Sequence, residues 1–523
     1  MILLRSVATV GGFTLMSRFL GVARDLLIAR YLGAGPIADA FFVALRFPNL
    51  FRNLFAEGAF NAAFVPLYAR ALTEQGPSAA RLLAERILSV MVTFMLILTA
   101  SAQFAMPWLM YALAPGFVSD PAKFDLAVRL TQITFPYLLF MSLAALLGGI
   151  LNSLDKFAYA AAAPILLNLT MIAALVLFMP TATQPGDVLA WSVAVAGLLQ
   201  FLWLAWSCAR VGVMLRFPRP TLTPEVKRLW KLLIPGLIGA GVMQINIVIG
   251  TIIASLFAGA VSYLYYADRI YQLPLGVIGV AIGVVLLPEL TRRLRGGDSG
   301  GAMWSFNRAV EIAMLLTLPA AAALIAVPLP IVTVLFERGA FGPVESAATA
   351  QVLGVFAIGL PAYVLVKTLA PGFYAREDTT TPFRIAVVTM IVNTVLSVAL
   401  AFTIGFVGIA IATTIAAWLN AGLLALKLRA AGHLAIDDRL RRRLPRMLFA
   451  SAAMGIVLWF AGDHLAHWFE AGTAMKLAGI SIIVGGGLAI YAALGLATDA
   501  FTIRDLREAF RRRARGQTVS PAD

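Results

Sequence analysis

Residues 87–111 read ILSVMVTFMLILTASAQFAMPWLMY, and no charged side chain interrupts them. Because an α-helix rises 1.5 Å per residue, a run of this length covers the roughly 30 Å of hydrocarbon in a bilayer. Similar apolar runs, separated by short charged segments, recur along the whole chain of 523 residues. A membrane β-barrel would instead show alternating segments of about ten residues. The sequence therefore predicts an all-α polytopic membrane protein.

Composition supports this fold class. Hydrophobic residues make up 61% of the chain and charged residues only 13%, whereas soluble proteins carry about 25% charged residues. The one cysteine, Cys208, excludes an intramolecular disulfide and a cysteine-based metal cluster. Arg18 interrupts the apolar N-terminus and no small-residue cleavage site follows, so we interpret this region as the first span.

We predict about 14 transmembrane helices from the apolar runs. The predicted spans are 6–30, 37–66, 84–111, 128–152, 158–180, 188–210, 228–257, 261–290, 305–335, 345–371, 381–403, 406–430, 445–462 and 473–497.

The distribution of basic residues predicts the orientation. An even number of spans places both termini on one side, and 30 of the 41 Lys and Arg residues then fall on that side, five on the other and six within the spans. By the positive-inside rule, both termini are expected in the cytoplasm of a bacterial inner membrane. The net charge of +15 is explained by these loops and does not indicate nucleic acid.

A weak internal repeat suggests two lobes. The segments 64–70 and 286–292 are similar, and each follows an Ala-Gly turn, an aspartate, a basic residue and a proline. Transporters are often built from repeats, with the substrate site between them. We predict an N-lobe at 1–217, a C-lobe at 222–431, a helix pair at 436–497 and a basic cytoplasmic tail at 498–523.

Charges inside the predicted spans are the informative feature. Each costs about 2.5–3.5 kcal/mol on insertion scales, so they must face a water-filled cavity or pair with one another. Neighbours such as Arg24 and Asp25 point to different helix faces, so we expect them to pair across helices. The basic residues are Arg18, Arg24, Arg46, Arg52, Arg269 and Lys367, and the acids are Asp25, Asp39, Glu57 and Asp268.

Two interpretations of these charges remain open. They could be buried ion pairs that hold the bundle together, and Arg46 and Lys367 could snorkel to the interface. The excess of arginine instead favours a cavity for a phosphate-like anion, because guanidinium stays charged and binds phosphate oxygens bidentately. A proton relay would use Asp, Glu and His. Asn49 and Arg52 are expected to share one polar face of the second span.

The charged residues lie within longer sequence motifs. These are Ser17-Arg18-Phe19-Leu20-Gly21, Arg24-Asp25, Ala38-Asp39-Ala40-Phe41-Phe42, Pro48-Asn49-Leu50, Arg52, Phe55-Ala56-Glu57-Gly58-Ala59-Phe60, Tyr265-Tyr266-Ala267-Asp268-Arg269 and Leu369-Ala370-Pro371-Gly372-Phe373-Tyr374. Together these segments resemble the MurJ/MviN family of lipid II flippases, within the larger superfamily of multidrug and polysaccharide exporters. The resemblance covers essentially the whole chain.

The resemblance implies two six-helix lobes around a central cavity, and two extra helices that form a groove for a polyprenyl tail. It implies a flippase, not an enzyme, that moves lipid II from the cytoplasmic to the periplasmic leaflet by alternating access. Gln272 departs from the family pattern, because an acid is expected there. The implied substrate-binding residues are Ser17, Arg18, Arg24, Asn49, Arg52 and Arg269, and the implied gating or counter-ion residues are Asp25, Asp39, Glu57 and Asp268.

No cofactor and no metal site are expected, and the membrane potential or a monovalent ion is the candidate energy source. The expected partners are lipid II and membrane lipids, with cell-wall synthesis proteins as further candidates and a monomer as the functional unit. A flippase for another polyprenyl-diphosphate oligosaccharide is the main alternative. A cation-coupled drug exporter ranks lower, since its cavity should be acidic.

Overall fold

The computed structural model describes residues 2–52 and 60–502. Within these ranges the chain forms eighteen α-helices and no β-strand beyond one isolated bridge. Ten helical segments of this part of the chain are long and apolar enough to span a membrane. The prediction of an all-α polytopic membrane protein is confirmed.

The helices of the first part of the chain are α1 (Ile2–Leu32), α2 (Pro36–Arg52), α3 (Phe60–Gln75), α4 (Pro77–Leu113), α5 (Pro121–Thr134), α6 (Tyr137–Ser153), α7 (Phe157–Leu177), α8 (Pro185–Arg210) and α9 (Pro224–Ser255). Those that follow are α10 (Ala260–Arg295), α11 (Ser299–Ala326), α12 (Pro328–Phe336), α13 (Pro343–Tyr374), α14 (Thr380–Ile404), α15 (Val407–Ala430), α16 (Asp438–His464), α17 (Ala466–Glu470) and α18 (Thr473–Ala497). Short 3-10 turns lie at Pro115–Ser119 and Met179–Thr181.

The predicted spans match these helices. Ten correspond to the membrane-length segments, and 6–30, 228–257 and 261–290 correspond to α1, α9 and α10. The second predicted span, 37–66, begins in α2 and ends in α3, and its residues 53–59 lie outside the described part of the chain. The fourth predicted span is divided into α5 and α6 at Phe135–Pro136, and the ninth into α11 and α12 at Val327. Proline lacks a backbone N–H and clashes with the preceding turn, which explains why both interruptions lie beside one.

Two compact units make up the chain. The first contains the residues up to Tyr266 together with Phe336–Glu345 and Thr394–Ile409. The second contains Ala267–Leu335, Ser346–Asn393 and the described residues from Ala410 onward. The predicted lobes at 1–217 and 222–431 and the helix pair at 436–497 stay predictions.

The first unit has its core between α3, α4, α6 and α9. Phe64 and Met95 are almost fully buried there. A Cβ atom added to Gly149 would lie 2.9 Å from the Phe64 ring, so the missing side chain lets α6 approach α3 closely.

In the second unit a cluster of charges ties α16 to α11. The buried carboxylate of Glu311 accepts from Arg443 at 2.6 Å and from Arg439 at 3.1 Å, and it also pairs with Arg308. The Tyr491 hydroxyl donates to the Leu315 carbonyl at 2.9 Å and ties α18 to the same helix. Helices α16 and α18 therefore contact α11 through polar side chains as well as through apolar packing.

Candidate functional site

Arg24 in α1 lies in a buried polar network and is only 9% exposed. Its Nε and Nη2 donate to Asp25 Oδ1 at 3.0 and 2.7 Å, and its Nη1 donates to Asn168 Oδ1 at 2.9 Å. The Tyr265 hydroxyl donates to the same Asp25 oxygen at 3.3 Å. The expectation that Arg24 and Asp25 would not pair with each other is wrong, because the long arginine side chain reaches around the helix to the neighbouring carboxylate.

Asn168 fixes this face of α1 against α7. Its amide nitrogen donates to the Ser17 carbonyl at 2.9 Å and lies 3.2 Å from the Ser17 hydroxyl. Ser17 and Arg24 are seven residues apart and so share a helix face. Gly21 lies between them in the chain and faces the side-chain amide of Asn168. Sequence reasoning missed Asn168. The available signal was a lone amide within the apolar run 157–177, where a polar side chain is expensive.

Arg18 lies in a different environment from Arg24. It is exposed, and no carboxylate of the described residues lies within 4.0 Å of its guanidinium. Six residues separate the two arginines, which places them about 120° apart around the helix. Of these two arginines, Arg24 is neutralised by an adjacent carboxylate, whereas Arg18 has no such partner among the described residues.

Arg52 in α2 pairs with a neutral amide. Its Nε donates to Asn49 Oδ1 at 3.1 Å, which confirms that these two residues share a face. Arg46 is partly buried on the same helix and lies beside Val43 in α2 and Leu113 in α4. Glu57, expected as a gating acid or counter-ion, lies outside the described residues.

The predicted residues of α10 lie in the second unit. Asp268 accepts a hydrogen bond from the side-chain amide of Gln272, one helical turn away. Gln272 thus supplies a neutral partner at the position where the family pattern led us to expect an acid. Arg269 is partly buried beside this pair. Lys367 of α13 is exposed, and its side chain lies along Gly279, where an added Cβ would be 2.6 Å from Lys367 Cδ.

Asp39 in α2 is fully buried and is the acceptor of four hydrogen bonds. Lys123 Nζ donates at 2.7 Å, Gly259 N at 3.0 Å, and Ser262 through its N at 3.0 Å and its Oγ at 2.6 Å. The first N–H groups of a helix have no partner within the helix, and a negative charge at that end is favourable. Asp39 therefore caps the start of α10 from another helix.

Lys123 is the counter-ion of Asp39 and was not singled out from the sequence. It is 9% exposed, and its ammonium lies 4.0 Å from the centre of the Phe117 ring. The available signals were its place in the first turn of α5, after Asp120 and Pro121, and the scarcity of basic residues on its predicted side of the membrane.

Two turns of the first unit pack backbone against backbone. Gly33, between α1 and α2, has φ +64°, and Gly339, between α12 and α13, has φ +62°. Ala340 N donates to the Arg30 carbonyl at 2.8 Å, and the Tyr266 hydroxyl donates to the Gly33 carbonyl at 2.9 Å. A Cβ on Gly33 would lie 2.3 Å from the Ala340 carbonyl oxygen, and a Cβ on Gly339 would lie 2.3 Å from the Arg30 carbonyl oxygen. Only glycine fits here, because both the backbone angle and the close approach require it.

Residues 28–478 match the profile of the family described as Lipid II flippase MurJ. The chain belongs to this family. It is 44% identical to the probable lipid II flippase MurJ of Rhizobium meliloti, an alignment that covers 100% of this chain and 99% of that protein. It is 38% identical to the lipid II flippase MurJ of Burkholderia cenocepacia, with 89% and 90% covered.

Solved structures agree with the family assignment. A lipid II flippase MurJ in an inward closed conformation matches with a TM-score of 0.79 at 26% identity, covering 95% of this chain and 99% of that one. A multidrug transporter of the MATE family in an inward-facing conformation matches with a TM-score of 0.65 at 16% identity, over 82% of this chain and 98% of that one. The second likeness shows the fold alone. The resemblance inferred from the sequence motifs is confirmed, and the chain is a multi-pass membrane protein of a lipid flippase family.

The structure brings most of the predicted site residues into the first unit. Their roles as substrate contacts, gates or counter-ions stay predictions, as does the central cavity. Seven predicted residues lie in the first unit, namely Ser17, Arg18, Arg24, Asp25, Asp39, Asn49 and Arg52, and two, Asp268 and Arg269, lie in the second.

Proposed function

We propose that this chain translocates lipid II, a polyprenyl-diphosphate-linked precursor of peptidoglycan, from the cytoplasmic to the periplasmic leaflet of the bacterial inner membrane. Its membership of the MurJ family supports this function. The observation that carries it is Arg18, an exposed guanidinium on a predicted span with no described carboxylate within 4.0 Å. A cation held at that depth is costly unless water or an anionic ligand compensates it.

The diphosphate of the substrate cannot cross hydrocarbon alone, because an unpaired charge there is too expensive. Guanidinium groups replace its water, while the polyprenyl tail stays in the lipid. Phosphate oxygens first meet Arg18 and then compete with the Asp25 carboxylate for Arg24. The Asp25 and Asn168 contacts keep the Arg24 guanidinium oriented until then. No covalent bond changes in this sequence of steps.

Alternating access requires one side of the protein to close. With both termini in the cytoplasm, the turns that follow α1, α9 and α12 lie on the periplasmic side. The Asp39–Lys123 pair on the α10 N-terminus and the paired glycine turns then act as a periplasmic latch. The lobes rock around the site as this latch forms and breaks. Transport draws on a coupled ion or on the membrane potential, which is worth about 2.3 kcal/mol per charge per 100 mV.

Transport of another polyprenyl-diphosphate oligosaccharide is the second candidate, because Arg18 would recognise the diphosphate that both substrates share. A cation exporter fits poorly, because its substrate would meet guanidinium groups.

A binding measurement separates the two candidates. The purified protein is titrated with lipid II, with undecaprenyl diphosphate, and with an undecaprenyl-diphosphate oligosaccharide that lacks the peptide. We expect lipid II to bind most tightly. In Arg18→Gln we expect a loss of about 10- to 100-fold, since a hydrogen bond to a charged group is worth about 1.5–3 kcal/mol.

The control is Arg295→Gln, at a side chain that is 77% exposed near the end of α10. It should bind lipid II as the wild type does. Equal affinity for the oligosaccharide lipid would contradict the lipid II assignment. Unchanged affinity in Arg18→Gln would contradict the role of the exposed guanidinium.

A further inference from the structure

The connection between α8 and α9, residues 211–223, exposes large apolar side chains outside the helices. The segment forms no helix. Its side chains Met214, Phe217 and Leu222 are 65%, 58% and 63% exposed. Such exposure is expected on a lipid-facing helix but is unfavourable for a loop in water, because apolar surface is driven out of water. Clustered exposed apolar residues usually mark a contact surface.

The outward direction of these side chains is fixed by the backbone. Val211, Val213 and Leu215 are half-buried against the core of the first unit, and the residues between them are exposed. This alternation with a period of two is typical of an extended segment with one face packed. Val213 N donates to the Cys208 carbonyl at 2.9 Å and Arg216 N donates to Glu85 Oε1 at 2.8 Å. Met214 therefore cannot turn inward without breaking these contacts.

The end of α8 shows the level at which this connection lies. Trp206 is 44% exposed, and the Arg210 guanidinium lies 4.1 Å from the centre of its ring. Tryptophan is enriched at membrane–water interfaces, and arginine near a helix end reaches toward the headgroups. The connection begins one residue after Arg210, so it lies at the interface itself.

The charge of this region is strongly positive. Residues 210–231 contain six basic side chains, Arg210 included, and one acid, Glu225, whose carboxylate lies 3.9 Å from Arg86. Within the connection, Arg216 and Arg219 are exposed between the apolar residues. Basic residues near an anionic leaflet are attracted to its negative surface.

From these observations we infer that residues 211–223 are a docking surface for the anionic headgroup layer of the bilayer. Met214, Phe217 and Leu222 insert into the interfacial zone, and Arg216 and Arg219 bind lipid phosphates. Apolar anchors combined with a basic patch bind a membrane surface stably, whereas either feature alone gives only weak binding. The inference goes beyond lipid II transport and does not depend on it. In consequence the chain between the two predicted lobes would be held at one membrane surface.

Site-directed spin labelling tests this surface in the full-length protein. In a Cys208→Ala background, a nitroxide is placed at Phe217→Cys, with Met214→Cys as a second position. The control is Ser299→Cys, at an exposed residue that begins α11 beside Gly297 and Asp298, with no large apolar neighbour in sequence. Collision with oxygen and with a water-soluble nickel chelate is measured in vesicles of phosphatidylethanolamine and phosphatidylglycerol, and in vesicles of phosphatidylcholine alone.

We expect the labels at 214 and 217 to collide more with oxygen and less with nickel than the label at 299. The difference should be larger in the phosphatidylglycerol vesicles, and Arg216→Gln with Arg219→Gln should remove most of that increase. Labels at 214 and 217 that report the same water exposure as 299 in both kinds of vesicle would overturn the inference. Protection that appears only when a cytosolic protein extract is added would overturn it as well, since it would identify a protein as the partner.

Discussion

Replacing Asp39 by Asn should open the proposed periplasmic latch. The carboxylate is fully buried, accepts from Lys123 at 2.7 Å and caps the start of α10 through two backbone N–H groups and one hydroxyl. The amide keeps the shape but loses the negative charge. In the latched state Lys123 is then left buried without its counter-ion, whereas an opened latch would let water reach it.

The size of the effect follows from this geometry. Removing one partner of a buried ion pair costs about 3–5 kcal/mol, and the lost attraction to the N-terminus of α10 adds up to about 2 kcal/mol. Even about 3 kcal/mol changes the ratio of latched to open protein by roughly 100-fold. The cost falls on the latched state, so the open state gains population.

Thiol labelling from the periplasmic side measures this population. Val261, at the start of α10, is 3% exposed, so Val261→Cys in a Cys208→Ala background should react slowly with a membrane-impermeant maleimide. Adding Asp39→Asn should raise the rate at least about tenfold. Adding Lys123→Met should return it toward the slow rate, because removing both charges leaves none unpaired.

Ala340→Cys serves as the labelling control, since Ala340 is exposed in the latched state and should react rapidly in every background. A labelling rate at position 261 that is the same with and without the Asp39→Asn substitution would refute the latch. Fast labelling that persists after the Lys123 substitution would refute the ion-pair explanation.

Two further substitutions test neighbouring contacts. Gly339→Ala combines a left-handed backbone angle, which costs about 1–2 kcal/mol, with a Cβ that would lie 2.3 Å from the Arg30 carbonyl. It should lower the thermal unfolding temperature more than Gly212→Ala, whose φ of +87° brings strain but no atom within 4 Å, and equal losses would contradict the close packing of the turns. Asn168→Ala removes the amide bound to Arg24 at 2.9 Å. It should weaken lipid II binding in the titration by about 5- to 100-fold, as expected for unsatisfied polar groups, and unchanged affinity would show that the amide does not position the arginine.

Hydropathy was sufficient to predict the fold because it is a local property of each segment. The apolar runs located the ten membrane-length segments of the described residues, and the fourth and ninth predicted spans are divided beside Pro136 and Pro328. Family motifs were sufficient to identify the flippase family. The motif segments also contain Tyr265 and Tyr266, whose hydroxyls bind Asp25 and the Gly33 carbonyl.

Side-chain partners could not be predicted in the same way, because they depend on which distant segments meet. Lys123 is 84 residues from Asp39, and Asn168 is 144 residues from Arg24. Nothing within either short segment specifies the other. The pairing of Arg24 with Asp25 was misjudged for a different reason, since helix geometry sets the direction of Cα–Cβ bonds but not the reach of a flexible side chain.

The proposed transport requires the arginines of α1 to bind the lipid-linked diphosphate while it crosses the bilayer. Its most direct test is flipping of lipid II in reconstituted vesicles, followed with a membrane-impermeant reagent that reacts only with substrate on the outer leaflet. We predict that Arg24→Ala inserts and accumulates normally but moves no lipid II, while Arg295→Ala transports as the wild type does. Undiminished flipping by Arg24→Ala would contradict the claim.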